Sequence, residues 1–188
     1  MALKATIHKA ELVIADMDRP YYGDHALTIA KHPSENDERM MVRLIVFGLL
    51  ASESLSFTKG LSDADEPDLW QKDLTGHIEK WVDIGQPDER RMSRAAARAD
   101  LALVVAHGGR AADVWWQQNE NKVSRLDKLE VWKLHDDVPA ALAGLAARGM
   151  RLALNRQDDQ LWVSSMDSDT SVLVEWTVLK AAKAARVG

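Results

Sequence analysis

Two aspartates and a run of arginines are the residues best placed, by type and spacing, to do chemistry in this chain. Asp68 follows Pro67 at the opening of an expected strand, and Asp83 comes fifteen residues later, near the end of the next. Adjacent strands lie about 4.8 Å apart, so a suitable register brings the two carboxylates together. Two carboxylates with open positions suit Mg²⁺ or Mn²⁺, hard cations that take few protein ligands and keep their waters. Glu35, at the start of the longest expected helix, is a candidate third metal ligand, and Glu53 at its far end is another. Arg90, Arg94 and Arg98 then recur at i, i+4 and i+8, and Arg91 joins Arg94 and Arg98 at i, i+3 and i+7. Guanidinium groups beside a carboxylate cluster are what a phosphodiester enzyme needs: cations for the phosphate, acids for the metal. The same residues also suit ordinary surface ion pairs, each worth little.

The elements that must position these groups follow from hydrophobic period and turn chemistry. Residues 5–15 and 25–31 read as a hairpin, linked through Tyr21–Asp24 after Pro20. A helix opens at Ser34, with Ser34 and Asp37 as a capping box, and runs to about Leu55, apolar over more than half its circumference. Strands are expected at 56–59, 68–72 and 77–84, a helix at 88–99 and a doubly covered strand at 101–106. Alternation in 77–84 places Ile78, Lys80, Val82 and Ile84 toward a core and His77, Glu79, Trp81 and Asp83 toward a wetter face. Helices at 111–121 and 139–148 and strands at 129–134, 150–155, 160–165 and 172–179 complete the chain, with 180–188 as a frayed tail. The order α, β, β, β, α, β over 34–106 describes an α/β fold. A mixed central sheet is covered by the two helices, with the hairpin before it and a β-rich extension after it.

Composition bounds the rest. With 188 residues the chain is expected to form one domain over 1–188. No cysteine is present, which removes disulfides, thiolate catalysis and Cys-ligated metals, and fits a reducing, cytoplasmic setting. A net charge of -5 does not suit a non-specific nucleic-acid coater, though a local basic strip remains available. No segment is long and apolar enough to span a membrane, and the first residues lack the apolar stretch of a signal peptide. P-loop, dinucleotide and nucleophile-elbow motifs are absent, and the Ser56–Lys59 match to Ser-x-x-Lys lacks its companion motifs. The seven tryptophans read mainly as packing residues, and of Trp115 and Trp116 only one can face a core fully.

The blocks MALKATI (1–7), HPSE (32–35), ERMM (38–41), DEPDLW (65–70), WVDIGQPDERR (81–91), WWQQN (115–119) and VW (131–132) resemble the YaeQ family. That family in turn resembles the PD-(D/E)XK nuclease-like superfamily, whose restriction-endonuclease-like core has the same αβββαβ order. The resemblance implies that Pro67-Asp68 stands for the first motif element and Asp83 for the second. It also implies a basic residue two positions on, where this chain has Gly85. Arg91 or Arg94 on the following helix is then the substitute, able to stabilise charge but not to act as a base. Glu35 matches the acid of the first core helix. The implied activity is metal-dependent phosphodiester hydrolysis on nucleic acid. The alternative is a non-enzymatic binding or regulatory protein on a degenerate nuclease fold. With two acids so close, at least one carboxyl is expected to titrate high, and Asp83→Asn is expected to leave the fold intact.

Overall fold

A computed structural model describes residues 4–183, the Ser62 side chain excepted. In chain order the elements are β1 (Thr6–Asp16), β2 (Tyr21–Lys31), α1 (Asp37–Leu50) and β3 (Leu55–Phe57), then a 3-10 turn at Gly60–Ser62. There follow β4 (Leu69–Lys72), β5 (Ile78–Ile84), α2 (Glu89–Arg98), β6 (Ala99–Ala106), α3 (Arg110–Val123) and β7 (Leu129–Leu134). The last are α4 (Val138–Ala143), β8 (Gly149–Gln157), β9 (Gln160–Ser165), β10 (Ser171–Val174) and β11 (Trp176–Lys180). The described residues thus form a mixed α/β fold, with two sheets in place of the one central sheet expected. Cα packing divides the chain into two compact units, Met1–Ala51 with Asp137–Glu175 and Ser52–Asp136 with Trp176–Gly188. No described helix is long and apolar enough to cross a membrane.

The first unit is built on sheet one, in the order β10-β9-β8-β1-β2. The N-terminal hairpin is present, but Tyr21–Asp24 belongs to β2, since its residues continue the register from Asp16↔Tyr21 onward. The turn falls instead at 17–20. The C-terminal β-rich segment is the other half of the same sheet, because β8 pairs parallel with β1. Alternation along β1 buries His8, Ala10, Leu12, Ile14 and Asp16 and leaves Ile7, Lys9, Glu11 and Val13 outside. Helix α1 lies on the buried face: a Cβ added at Gly48 would meet Leu154 Cδ2 at 2.2 Å and Leu12 Cδ1 at 3.5 Å, so glycine permits the close approach. The cap of α1 is Asn36, whose side chain accepts from the Arg39 amide, and not Ser34. The helix stops at Leu50.

The second unit is built on sheet two, in the order β11-β7-β6-β5-β4-β3. Strands β5, β6 and β7 are parallel, and α2 and α3 are the crossovers between them. Met92, Ala95 and Ala96 of α2 and Ala112, Trp115 and Val123 of α3 share one core cluster with Trp81, Val104 and Val131 of the sheet. Small alanines let both helices lie close to the strands. Trp115 is buried and Trp116 only partly so, as their helical offset requires. Among the described residues Trp81 and Trp115 are buried, Trp116 packs against the core cluster, Trp132 stacks on Trp176 between paired strands, and Trp162 is 44% exposed. The expected strand 172–179 is two strands: β10 closes sheet one, and β11 joins sheet two beside β7 after Glu175. Of the expected frayed tail, Lys180 is the end of β11 and Lys183 donates its amide to Asp127 O; residues 184–188 lie outside the described chain.

Leu44 is fully buried on α1. Leu44→Ala is expected to lower unfolding free energy by about 2–5 kcal/mol, the usual range for a core leucine. Chemical denaturation checks it; a loss below about 1 kcal/mol is the mark of a surface position.

Candidate functional site

Asp68 and Asp83 do come together, through the pairing of β4 with β5. The register sets Leu69 against Val82, and the Asp68 amide donates to Val82 O at 2.9 Å, so Asp68 lies across from Asp83. Both are buried, at 3% and 2% exposure. The face that carries Asp83 is not the wetter face expected from alternation. Trp81 on the same face is buried in the α2–α3 core, and β5 is closed on both sides from Trp81 to Ile84. Alternation of polar and apolar residues identifies two faces but cannot show that a helix covers the polar one.

Each carboxylate has defined partners. Asp68 Oδ2 accepts from the Ile84 amide at 2.7 Å. Asp83 Oδ2 accepts from Trp81 Nε1 at 3.0 Å and from Arg91 Nε at 3.0 Å, and Oδ1 accepts from Arg91 Nη2 at 2.7 Å. The remaining Arg91 donors reach two backbone carbonyls of the β3–β4 loop: Nη1 to Ala64 O and Nη2 to Glu66 O, both at 2.7 Å. Arg91 is placed by the start of its helix, where Asp88 caps α2 and accepts from the Arg91 amide at 2.8 Å. A strand, a short turn and a capped first helical turn thereby fold Arg91 back onto an acid eight residues earlier.

Burial pushes the Asp83 carboxyl above its ordinary range; the bonds and charge of Arg91 and the bond from Trp81 pull against this, and the Asp68 charge adds a smaller upward push. A raised carboxyl was expected, but burial exceeds like-charge repulsion as its cause. Burial also works against the charge of Arg91, yet the bonds to Asp83 and the charges of Asp83, Asp68 and Asp88 hold its guanidinium above the usual value.

The other candidate residues stand apart in chemistry. Glu35 belongs to the first unit, where Oε1 accepts from Arg39 Nη1 at 2.9 Å and Arg43 Nε at 3.1 Å and Oε2 from Arg43 Nη2 at 2.8 Å. Glu53 is exposed and follows the end of α1. Arg94 forms an exposed pair with Asp65 at 2.7 Å. Arg98 lies over the Trp81 ring at 5.6 Å, and Arg90 is exposed. Alternation sets Trp81 on the face of Asp83 and so signals its donor; the two loop carbonyls on Arg91 had no such signal, since they lie 27 and 25 residues away in the chain. The i to i+3 spacing of Asp88 and Arg91 at a helix start was the available signal for the placement of Arg91.

The donor set does not fit a divalent ion as arranged. Among the described residues, no group of three or more His, Cys, Asp and Glu side chains could hold a metal. Both oxygens of Asp83 already face one guanidinium, which sits where a cation would neutralise them. The arrangement can hold a buried negative charge, fix the β3–β4 loop and present further arginines on α2.

The fold and the paired acids define an α/β protein with two mixed sheets and a closed aspartate–arginine site. A family model described as "YaeQ protein" matches residues 1–174, and the chain belongs to the YaeQ family. It is 43% identical to YaeQ of Salmonella typhi over 177 residues, covering 94% of this chain and 98% of the relative. Against YaeQ of Escherichia coli strain K12 the identity is 42%, with the same coverage. Two crystal structures superpose at a TM-score of 0.89. YaeQ from Xanthomonas axonopodis pv. citri is 45% identical, with coverage of 94% of this chain and 99% of that one. YaeQ from Pseudomonas syringae is 31% identical, with coverage of 94% and 97%.

The pairing of Asp83 with Arg91 changes the expectation for Asp83→Asn. Removing one member of a buried pair leaves the other charge uncompensated, so Asp83→Asn and Arg91→Met are each expected to cost about 3 kcal/mol. A carboxyl raised in the folded state stabilises below its unfolded value and loses that stability as pH rises through its folded value. Loss of Arg91 raises Asp83 further. The deficit of Arg91→Met against wild type is therefore expected to shrink as pH falls from 7 toward 5. Urea titrations across this range check it; a deficit independent of pH places the cost elsewhere.

Proposed function

We propose that this YaeQ-family chain is a non-enzymatic binding protein that keeps a degenerate PD-(D/E)XK nuclease-like core, with Arg91 in the place of the divalent cation. The observation that carries this is the two-bonded Arg91–Asp83 pair, closed further by Trp81, Ala64 and Glu66. Supporting the nuclease-like ancestry is the second unit's order β3, β4, β5, α2, β6, with β3, β4 and β5 antiparallel and β6 parallel to β5; α1 precedes them in the chain but packs in the first unit. Supporting lost chemistry is Gly85, at the position where the resemblance calls for lysine. Its φ is +112°, a backbone region that residues with a Cβ rarely adopt. A lysine there would need a different turn after β5. The ligand class we propose is a phosphate-bearing strand, met by the exposed arginines Arg90, Arg94 and Arg98 of α2.

One observation favours the catalytic reading: Asp68 and Asp83 lie across from each other at the end of paired strands. Catalysis through them would require Arg91 to leave. One pair of measurements separates the two readings. The non-enzymatic reading expects Mn²⁺ to give no thermal shift that Asp83→Asn abolishes, with salt-sensitive binding but no cleavage of single- or double-stranded DNA or RNA. Cleavage in Mg²⁺ or Mn²⁺ that Asp83→Asn removes would establish the nuclease instead.

A further inference from the structure

We propose that Trp70 is a stacking platform for an unpaired base, and that the phosphate-bearing strand met by α2 is single-stranded nucleic acid. This rests on the reading of the α2 arginines as phosphate contacts and adds the residue that selects the kind of strand.

Trp70 stands where the covered part of sheet two ends. The register sets it against Trp81 of β5 on one side and against Ser56 of β3 on the other, so the three side chains share one face. It is the face on which α2 lies: Trp81 is 1% exposed, in the core cluster that includes Met92, Ala95 and Ala96 of the helix. That cluster takes its strand residues from β5, β6 and β7. Beyond it the same face continues on β4 with Trp70 and Lys72, both half-buried, and on β3 with Ser56, exposed.

Cations stand around the indole. Lys72 Nζ lies 3.3 Å from the centroid of the Trp70 ring. Arg98 lies over the Trp81 ring at 5.6 Å, and a directly opposed pair such as Trp81 and Trp70 has its Cβ atoms about 5 Å apart, so this guanidinium is beside the platform. Arg94 precedes Arg98 by about one helical turn, or about 6 Å, and points to the β3–β4 loop, where it meets Asp65. Both side chains of that pair are exposed, at 42% and 79%, so a phosphate displaces the carboxylate at little cost. Glu79 of β5 is drawn away from the ring: Gln71 Nε2 donates to it at 2.7 Å, and Gln71 alternates to the opposite face from Trp70.

The combination selects the ligand. A row of guanidinium groups serves duplex and single strand alike, since both carry phosphates. An indole beside that row adds a π face, and only a base free of its own pairing and stacking lies on it. The Lys72 ammonium rests on the ring as a cation does. An arriving base takes its place, and the ammonium moves to a neighbouring phosphate.

Fluorescence anisotropy at low salt tests this, with a labelled oligothymidylate of about twelve nucleotides and a duplex of equal length as probes. Wild type is expected to prefer the single strand. Trp70→Ala is expected to weaken single-strand binding roughly 5- to 150-fold, as loss of one stacked base does, and to abolish the preference. Its salt dependence is expected to keep the wild-type slope, whereas Arg98→Ala loses about 0.7 of that slope, the share of one phosphate contact. Trp70→Phe keeps a π face and is expected to restore most of the affinity. Should Trp70→Ala fail to fold, photo-cross-linking of wild type to a bromodeoxyuridine oligonucleotide, mapped by mass spectrometry, is expected to mark Trp70. A wild type that binds neither probe ends the phosphate-strand reading of α2 and this proposal with it. Binding without single-strand preference, a Trp70→Ala affinity equal to wild type, or a cross-link confined to other residues overturns the stacking platform alone.

Discussion

The ion pair between Arg91 and Asp83 is the interaction on which the second unit's candidate site depends. A carboxylate at 2% exposure is costly without a counter-charge and hydrogen bonds. Arg91 supplies both, with two bonds to one carboxylate, and Trp81 supplies a third. The guanidinium then spends its other donors on Ala64 and Glu66. One side chain therefore ties together β5, the start of α2 and the β3–β4 loop. The Asp88 cap that starts the helix also sets the position of the arginine. Loop geometry, helix entry and the charge state of Asp83 are in this sense one constraint.

That constraint separates structural likeness from chemical likeness. The pairing of β4 with β5 sets two aspartates across from each other, while the contents of the site are those of a closed salt bridge. A bidentate guanidinium satisfies two carboxylate oxygens as a metal would, but it offers no open coordination position and carries no activated water. Gly85 closes the same strand, because its left-handed backbone turns the chain out of β5 directly after the site.

Sheet one follows a different logic. Its strands come from both ends of the chain: β1 and β2 from the first residues, β8, β9 and β10 from beyond residue 148. Parallel pairing of β1 with β8 fixes alternation across the whole sheet, so every outward residue of one strand aligns with outward residues of its neighbours.

Much of the local structure was legible from the residues. The hairpin, the first long helix though not its Asn36 cap or its end, the helix after Asp88, β6 as a covered strand, and β7 and β9 within their bounds all follow from period, caps and turns. These signals act over three or four residues and survive whatever the chain packs against. Asp68 and Asp83 were likewise legible as neighbours, since two strands joined by a short turn pair with each other. What the sequence by itself left open were the contacts between distant segments. Nothing local indicates that the residues after 148 complete the sheet begun at Thr6, or that 172–179 divides at Glu175 between two sheets. Nothing local shows that α2 buries the polar face of β5. The sequence determined which acids and arginines were near each other along the chain; tertiary packing decided that Glu35 is held by Arg39 and Arg43 and that Asp83 is held by Arg91. The reason is physical: the environment of a charge is set by what covers it, and the cover comes from residues far away in the chain.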